Sequence, residues 1–273
     1  MSELLKRVLF AVPAAILFIA ALWYGNWYFN GMVIIITAFT QFELVRLFRK
    51  AGTPSEPLFS YLIAGWVLFY PLIPFANEIG LAILLIFISK QTFDTKPGAF
   101  NKLASTFFVG LYAPIGFSCL MLIREMGSLE QGFALALGVA LMIWGGDAFA
   151  YFGGKMFGKT PLAPAISPNK TVEGFAFGFL GCFVGLAITL YLLPFPSPLT
   201  LYTGLPLVVL IGIFGPIGDL LESKIKRKAG VKDSSTILPG HGGFFDRFDA
   251  LIPASVAMYI YIQILAHYNY VSL

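Results

Sequence analysis

Long apolar runs separated by short polar segments dominate the chain from end to end. A run of about 17–22 apolar residues is long enough to cross a bilayer as an α-helix. Such runs predict transmembrane helices near 7–24, 28–48, 58–75, 103–123, 132–153, 174–193, 200–221 and 250–268. A shorter run near 79–90 crosses only where the bilayer is thin or neighbouring helices support it. The pattern predicts an all-α polytopic membrane protein with eight or nine transmembrane helices.

The charged residues decide between eight and nine crossings. With nine, the loops on one side of the membrane hold seventeen of the eighteen Lys and Arg residues, and the other side keeps Arg124 beside Glu78, Glu125 and Glu130. Cytoplasmic loops carry an excess of Lys and Arg. We therefore predict nine crossings, with the N-terminus in the cytoplasm and the C-terminus outside. The first run begins like a signal peptide, but the eight that follow favour an uncleaved anchor.

Composition supports the membrane class. Of 273 residues, 58% are hydrophobic and only 12% are charged, with a mean hydropathy of +0.82. A soluble domain carries roughly 25% charged residues. The pI near 9.0 does not indicate a nucleic-acid partner, because the cations fall into a few loops. Cys119 and Cys182 lie in apolar runs at different depths, so we expect free thiols and no disulfide.

No soluble domain fits between the predicted helices. The longest connections on the cytoplasmic side, 153–173 and 222–249, are far shorter than the roughly 40 residues below which a chain rarely folds alone. An active site must therefore be built from helix ends and loops at the cytoplasmic face. We divide the chain into N-terminal helices (1–130) and C-terminal catalytic helices (131–273) of one integrated membrane domain.

Most of the candidate chemistry lies between residues 219 and 249. This segment interleaves five carboxylates with six cations: Asp219, Glu222, Asp233, Asp246 and Asp249 with Lys224, Lys226, Arg227, Lys228, Lys232 and Arg247. Carboxylates hold a hard cation through oxygen, and basic side chains neutralise phosphate oxygens. The mixture suits a magnesium-bound polyphosphate. A juxtamembrane charge run that only meets lipid headgroups would instead show Lys and Arg in clear excess.

Helical spacing orders these carboxylates. Asp219, Glu222, Ser223 and Lys226 fall on one face of the eighth predicted helix. Asp246 and Asp249, three residues apart, begin the ninth. Two antiparallel helices would then place Asp219 opposite Asp246 across a narrow gap.

The segment before the ninth helix has the character of an anion site. Pro239-Gly240 is a turn signal. His241, Gly242 and Gly243 then lead into the helix, whose N-terminus favours negative charge. Glycines there let backbone N–H groups approach a phosphate closely.

A second cluster precedes the first in the sequence. Asp147 lies inside the sixth predicted helix, where an ionisable group is costly and usually functional; the alternative is a carboxyl that only packs against a neighbouring helix. Ser167-Pro168 predicts a helix start, so that Lys170 and Glu173 project from the first turn of the seventh helix. We favour a phosphate contact for Lys170 over a snorkelling anchor.

The same residues resemble the signature of the phosphatidate cytidylyltransferase family, also called CDP-diacylglycerol synthases. The resemblance rests on Ser223, Lys226, Arg227, Lys232, Asp233, Pro239, His241, Gly242, Gly243, Asp246, Arg247 and Asp249. The preceding Gly218, Asp219 and Glu222, the 147–158 region and the 167–174 segment resemble it as well. The match covers the C-terminal half, whereas the first 130 residues add only apolar runs.

The resemblance implies an enzyme that joins CTP to phosphatidic acid, giving CDP-diacylglycerol and pyrophosphate. It implies Mg²⁺ held by Asp219 and Asp246, with Asp249 as a further ligand, and leaves room for a second cation. It further implies CTP, phosphatidic acid and membrane lipids as partners, with no nucleic acid, and location in the inner (plasma) membrane of a bacterium. A homodimer is left open.

Individual roles follow from the same resemblance. The residues assigned to catalysis are Asp219, Asp246, Lys226, Arg227 and His241. Those assigned to substrate binding are Asp147, Lys170, Glu173, Glu222, Ser223, Lys232, Asp233, Gly242, Gly243 and Arg247.

Two other functions remain to be weighed. A CTP-dependent lipid kinase shares the nucleotide and the metal but leaves CDP in solution, whereas a cytidylyltransferase leaves pyrophosphate. A secondary transporter for an anionic solute would show inverted repeats and broken helices at the middle of the membrane. The predicted charges lie near one face instead.

Overall fold

Helices follow one another along nearly the whole chain in the computed structural model, which describes residues 3–195, 197–238 and 240–271. The α-helices are α1 (Glu3–Tyr24), α2 (Asn26–Lys50), α3 (Pro57–Phe69), α4 (Ala76–Thr92), α5 (Ala99–Arg124), α6 (Leu129–Phe157), α7 (Val172–Ala187), α8 (Leu201–Lys228), α9 (Phe245–Phe248) and α10 (Leu251–His267). A 3-10 turn (Tyr70–Leu72) extends α3, and a π-helical turn (Ile188–Leu192) extends α7. The predicted turn residue Pro239 lies outside the described residues.

Every apolar run predicted from the sequence coincides with a helix. Within the described residues, five helices are long and apolar enough to cross a membrane: α2, α5, α6, α7 with its π-helical extension, and α8. Shorter apolar helices are α3, α10 and residues 12–24 of α1. The mostly helical fold is therefore confirmed, and its long apolar helices fit a membrane protein, whereas nine crossings and their orientation stay predictions. Cys119 and Cys182 are both buried free thiols, as expected.

A small β-hairpin interrupts the helical pattern. Strands β1 (Pro161–Ala163) and β2 (Ser167–Thr171) pair antiparallel before α7. The predicted helix start at Ser167-Pro168 was wrong, because both residues belong to β2. A two-stranded hairpin has free outer edges, where a proline without an N–H is tolerated. Thr171 caps α7 instead, and its Oγ1 accepts a hydrogen bond from Gly174 N at 3.1 Å.

One end of the helix bundle is held by a buried arginine. Arg124, at the end of α5, donates from Nε to the carbonyl oxygen of Leu22 at 2.7 Å. Asn30 donates from Nδ2 to Glu125 Oε1 at 2.8 Å. The ends of α1 and α5 and the start of α2 therefore lie together.

The opposite end of the bundle carries the charged loops. Near the start of α5, Thr106 Oγ1 accepts a hydrogen bond from the backbone N–H of Glu56 at 2.8 Å, which joins α5 to the loop after α2. Lys170 in β2 pairs with Asp219 near the end of α8. We call this the charged end; it gathers the ends of α2 and α8, the hairpin and α9.

Helices α6 and α7 approach each other unusually closely. A Cβ built at Gly181 would clash with the carbonyl oxygen of Gly145 on the facing helix. Small residues at such a contact let two membrane helices pack backbone against backbone. The pair places Asp147 of α6 next to the hairpin that precedes α7.

One hydrophobic core joins the two halves of the sequence. It contains buried residues of α2 and α5, such as Phe29 and Phe117, together with Leu135 of α6, Phe245 of α9 and Met258 of α10. Helix α10 packs against both α5 and α8. The N-terminal helices therefore contact the elements that carry the candidate chemistry, although the division at residue 130 stays a prediction.

Candidate active site

Three carboxylates converge at the charged end. Asp219 and Glu222 lie on one face of α8, and Asp249 lies between α9 and α10. Their ligand oxygens all lie within 4.8 Å of one another. A Cβ at Gly218 would clash with the carbonyl oxygen of Asp249, so this glycine permits the close approach. Oxygen donors gathered at this spacing suit a hard divalent cation.

The electrostatics of this cluster also favour a cation. Burial, and then the nearby carboxylate of Asp219, raise the pKa of Asp249 to about 7. Like charges that share a small buried volume disfavour ionisation of one another. A bound cation would relieve that repulsion, and the donor set fits Mg²⁺.

Lys170 approaches the cluster from the hairpin. Its ammonium group pairs with Asp219, and the Ser223 hydroxyl donates to the other Asp219 oxygen at 3.5 Å. The Lys170 side chain is 29% exposed, and that of Asp219 is 34% exposed. Both groups therefore remain accessible to a ligand.

A cavity of about 480 Å³ opens beside Asp219, between α6, α7, α8 and the hairpin. Its charged part is lined by Asp147, Lys155, Lys170 and Asp219. Its apolar part is lined by residues such as Ile143, Cys182 and Ile211. The volume is typical of a small-molecule site. The two kinds of wall suit an amphipathic molecule with an anionic head.

Lys226 forms ion pairs with two carboxylates, one of which belongs to the acid cluster. Its Nζ lies 2.5 Å from Glu222 Oε1 and 2.8 Å from Asp246 Oδ1. The Lys226 side chain is 15% exposed, and those of Glu222 and Asp246 are 3% and 4% exposed. This ion pair is therefore largely shielded from solvent.

Asp246 is saturated by donors from the protein. It accepts hydrogen bonds from Ser234 N at 2.9 Å, Ser234 Oγ at 2.9 Å and Gly243 N at 2.7 Å. Burial by itself raises the pKa of Asp246. Its hydrogen bonds with Glu222 and Lys226, and those from the backbone N–H groups, outweigh burial and hold the pKa below its ordinary range. Asp246 is therefore an ionised residue that organises the loop around it.

Comparison with known proteins agrees with this chemistry. The model of the cytidylyltransferase family matches residues 5–265. The chain belongs to the cytidylyltransferase family.

Relatives in this family resemble the chain over most of its length. It is 34% identical over 281 residues to the phosphatidate cytidylyltransferase of Bacillus subtilis (strain 168), covering 97% of this chain and 100% of that protein. It is 31% identical over 271 residues to that of Mycobacterium bovis, covering 92% of this chain and 84% of the relative. A segment of 166 residues is 44% identical to the enzyme of Staphylococcus aureus (strain COL), covering 60% of this chain and 59% of the relative.

In this member of the cytidylyltransferase family, Asp219 and Asp246 have different immediate partners, and the facing arrangement predicted for them stays a prediction. Asp219 lies with Glu222 and Asp249, whereas Asp246 pairs with Lys226. The role of Asp246 as a metal ligand stays a prediction, and Glu222 joins the candidate metal ligands.

Several predicted substrate-binding residues surround the loop between α8 and α9. Exposed charged side chains here are those of Lys232, Asp233 and Arg247. Arg227 is exposed on α8 and donates from Nε to the carbonyl oxygen of Ile166 in the hairpin at 3.5 Å. Arg247 donates from Nε to the carbonyl oxygen of His241 at 2.9 Å. The substrate contacts predicted for these residues, and for His241, stay predictions.

The packing of this loop requires glycine at positions 242 and 243. Gly242 has a φ of +82°, which L side chains rarely adopt, and a Cβ there would clash with Asp246. A Cβ at Gly243 would clash with Ser234 Oγ. The two glycines therefore shape the loop around Asp246.

Glu173 lies in the first turn of α7 and binds the segment after α6. Its carboxylate accepts hydrogen bonds from the backbone N–H groups of Lys159 at 3.1 Å and Thr160 at 3.2 Å, and from the Thr160 hydroxyl at 2.9 Å. In the structure Glu173 therefore ties the segment after α6 to the start of α7. Its predicted contact with substrate stays a prediction.

Sequence reasoning missed two residues from the N-terminal half. Glu43 of α2 is fully buried and binds the loop between α8 and α9. The available signal was an ionisable residue inside the predicted 28–48 helix. The Tyr112 hydroxyl of α5 is buried, has no hydrogen-bond partner among the described residues, and lies within electrostatic range of Asp249 and Glu222. A single Tyr in an apolar run gave no comparable signal.

Proposed function

We propose that this protein transfers a cytidylyl group from CTP to phosphatidic acid, which gives CDP-diacylglycerol and releases pyrophosphate. One observation carries the proposal. A site of three carboxylates adjoins a cavity that is charged at one end and apolar at the other, at one end of a membrane-helix bundle. Membership of the cytidylyltransferase family and similarity to phosphatidate cytidylyltransferases support the same reaction.

In the reaction, an oxygen of the lipid phosphate forms a bond to the α-phosphorus of CTP. The bond from that phosphorus to the oxygen bridging it to the β-phosphorus breaks, and pyrophosphate leaves with the electron pair. No protein nucleophile is needed. Because two polyanions must meet, positioning and charge neutralisation are the main contributions of the protein.

Asp219, Glu222 and Asp249 would hold Mg²⁺. When bound, the ion would neutralise charge on the phosphates of CTP. Their spacing within 4.8 Å supports this assignment. The buried hydroxyl of Tyr112 is available to donate to a phosphate oxygen or a bound water.

The cavity would receive phosphatidic acid. Its apolar part suits the start of the acyl chains, while Lys170 and Lys155 would neutralise the lipid phosphate. Lys170 would exchange part of its contact with Asp219 for the phosphate when lipid binds. Asp147, on the same wall, would help to orient the group.

CTP would bind on the loop side of the acid cluster. The exposed cations Lys232 and Arg247 belong to this loop and to α9, and His241 would donate to a phosphate oxygen. Arg227, which donates from Nε to the carbonyl oxygen of Ile166 at 3.5 Å, would reach the phosphates from the hairpin. The excess of Lys and Arg at the charged end supports a cytoplasmic orientation, in which CTP enters from the cytosol. Together with the bacterial relatives, this orientation supports a location in the inner membrane of a bacterium.

The test is incubation of the purified protein with labelled CTP, Mg²⁺ and phosphatidic acid. We expect lipid-bound cytidine and pyrophosphate in equal amounts, and neither product when phosphatidic acid is omitted. Accumulation of free CDP with a phosphorylated lipid would identify the kinase alternative and overturn the proposal.

A further inference from the structure

The carboxylate of Glu43 accepts several hydrogen bonds from the loop that joins α8 to α9, which we call the α8–α9 loop. Within the described part of the chain, Glu43 Oε2 accepts from the Ser234 hydroxyl at 2.9 Å and from Phe245 N at 2.8 Å. Its Oε1 accepts from the Ser235 hydroxyl at 2.6 Å and from Phe244 N at 3.0 Å. One α2 side chain thus binds both the middle of the loop and its junction with α9.

The surrounding packing is shaped to this contact. Phe39 precedes Glu43 by one helical turn, and its ring stacks on Phe244 with centroids 4.8 Å apart and planes at 9°. A Cβ at Gly243 would clash with Glu43 Oε1. A buried carboxylate is costly unless donors surround it. One face of α2 therefore presents both a ring and a charge to the loop.

The residues that Glu43 binds also contact residues of the candidate active site. The Ser234 Oγ lies 2.9 Å from both Glu43 Oε2 and Asp246 Oδ2, so its single proton is shared between the two carboxylates. The N–H groups of Ser234 and Gly243 donate to Asp246 as well. Asp246 then pairs with Lys226, and Lys226 pairs with Glu222 of the acid cluster. A chain of direct contacts thus connects α2 to the candidate metal ligands.

Another buried polar residue of α2 provides a comparison. Gln41 is 1% exposed, and its Nε2 donates to the carbonyl oxygen of Ser60 at 2.7 Å. That bond joins α2 to α3 and touches no residue of the α8–α9 loop. Gln41 therefore represents a buried hydrogen bond that serves packing alone.

We propose that Glu43 is a positioning residue of the transferase. It fixes the α8–α9 loop so that Asp246 stays paired with Lys226 and Glu222 stays directed into the acid cluster. The inference rests on the proposed function for its catalytic part, and it assigns the N-terminal half a role in that function. Without the Glu43 carboxylate, the α8–α9 loop is no longer held against α2, and the acid cluster loses its geometry.

The test compares Glu43→Gln with Gln41→Leu in the full-length protein. A glutamine keeps one acceptor oxygen and turns an NH₂ group towards donors, so the loop loses acceptors. We measure the initial rate of trypsin cleavage after the exposed Lys232, together with kcat, KM for CTP, and Tm. For Glu43→Gln we expect cleavage about ten-fold faster or more, and kcat about a hundred-fold lower with a smaller change in KM.

For Gln41→Leu we expect a lower Tm, with cleavage rate and kcat within about three-fold of the unaltered protein when assayed well below Tm. Equal losses of kcat in the two variants, in proportion to Tm, would show that Glu43 serves packing only and overturn the proposal. Unaltered cleavage and kcat in Glu43→Gln would overturn it as well.

Ser235→Ala provides a milder perturbation, which is also usable if Glu43→Gln does not fold. It removes one donor to Glu43, and we expect cleavage about three-fold faster or more. Combined with Glu43→Gln, its effect should be much less than additive, because both changes act on one contact. A cleavage rate in Ser235→Ala equal to that of the unaltered protein would contradict the claim that Glu43 holds the α8–α9 loop. Trypsin protection does not depend on the reaction, so failure of the proposed function and failure of the positioning role are distinguishable.

Discussion

Replacing Lys226 by alanine tests the network that supports the acid cluster. In the structure, this lysine bridges Glu222 and Asp246, whose side chains are only 3% and 4% exposed. Its removal leaves two nearly buried carboxylates without their shared cation. The residue therefore acts through its neighbours, in addition to any contact with substrate phosphate that the sequence predicts.

The size of the effect follows from burial. Breaking a buried ion pair by removing one partner costs about 3–5 kcal/mol, because the remaining charge is uncompensated. The Lys226 side chain is 15% exposed, which favours the lower end of that range. This cost lowers the free energy of unfolding, so Lys226→Ala should lower Tm. The acid cluster also loses the lysine that bridges Glu222 and Asp246, and we expect kcat/KM to fall by about a hundred-fold.

Lys228 is the matched control, because it lies on the same helix turn and is exposed. An exposed lysine contributes at most about 1 kcal/mol through ion pairs, so Lys228→Ala should stay within a few-fold of the unaltered protein. Both variants are assayed by lipid-bound cytidine at the same ionic strength, with Tm measured in parallel. Lys226→Arg, which keeps the charge, should recover part of the activity. Equal losses at positions 226 and 228 would refute the network and indicate a diffuse basic surface.

The remaining predictions concern the metal, the loop and the orientation. Asp219→Asn should reduce activity about a hundred-fold or more and raise the Mg²⁺ concentration needed for half-maximal rate, since one charged ligand is lost; unchanged Mg²⁺ dependence would contradict the assignment. Gly243→Ala should lower kcat about ten-fold or more, because its Cβ would clash with the loop, whereas Gly65→Ala, which has open space around it, should not. The two native cysteines are buried and should not react with an impermeant thiol reagent. Added outside intact cells, the reagent should label Glu130→Cys but not Thr236→Cys. Labelling of Thr236→Cys would show that the predicted orientation is wrong.

The sequence by itself determined where the helices lie. In a bilayer each backbone polar group must be satisfied within its own segment, so a long apolar run is sufficient to predict a helix. Local periodicity was equally informative on α8. Asp219, Glu222 and Lys226 share one face, and the structure places Ser223 against Asp219 and Lys226 against Glu222.

Local patterns were less informative where the chain leaves a helix. Ser167-Pro168 has the composition of a helix start, but pairing with β1 makes it a strand, because tertiary contacts override local preference. Likewise, the spacing of Asp246 and Asp249 suggested one continuous helix. Asp246 instead pairs with Lys226, whereas Asp249 lies with Asp219 and Glu222, and a three-residue spacing does not reveal which neighbours each carboxylate meets.

Only the tertiary structure decided the role of Glu43. Its partner Ser234 is 191 positions away in the sequence. No helical or strand period relates two residues at that separation, so the sequence shows a costly carboxylate in an apolar run without showing what stabilises it. Folding brings α2 against the α8–α9 loop through the shared hydrophobic core, and the donors of the loop then satisfy the buried charge. The apolar pattern thus fixed the helices, whereas the packing between them fixed which charges meet.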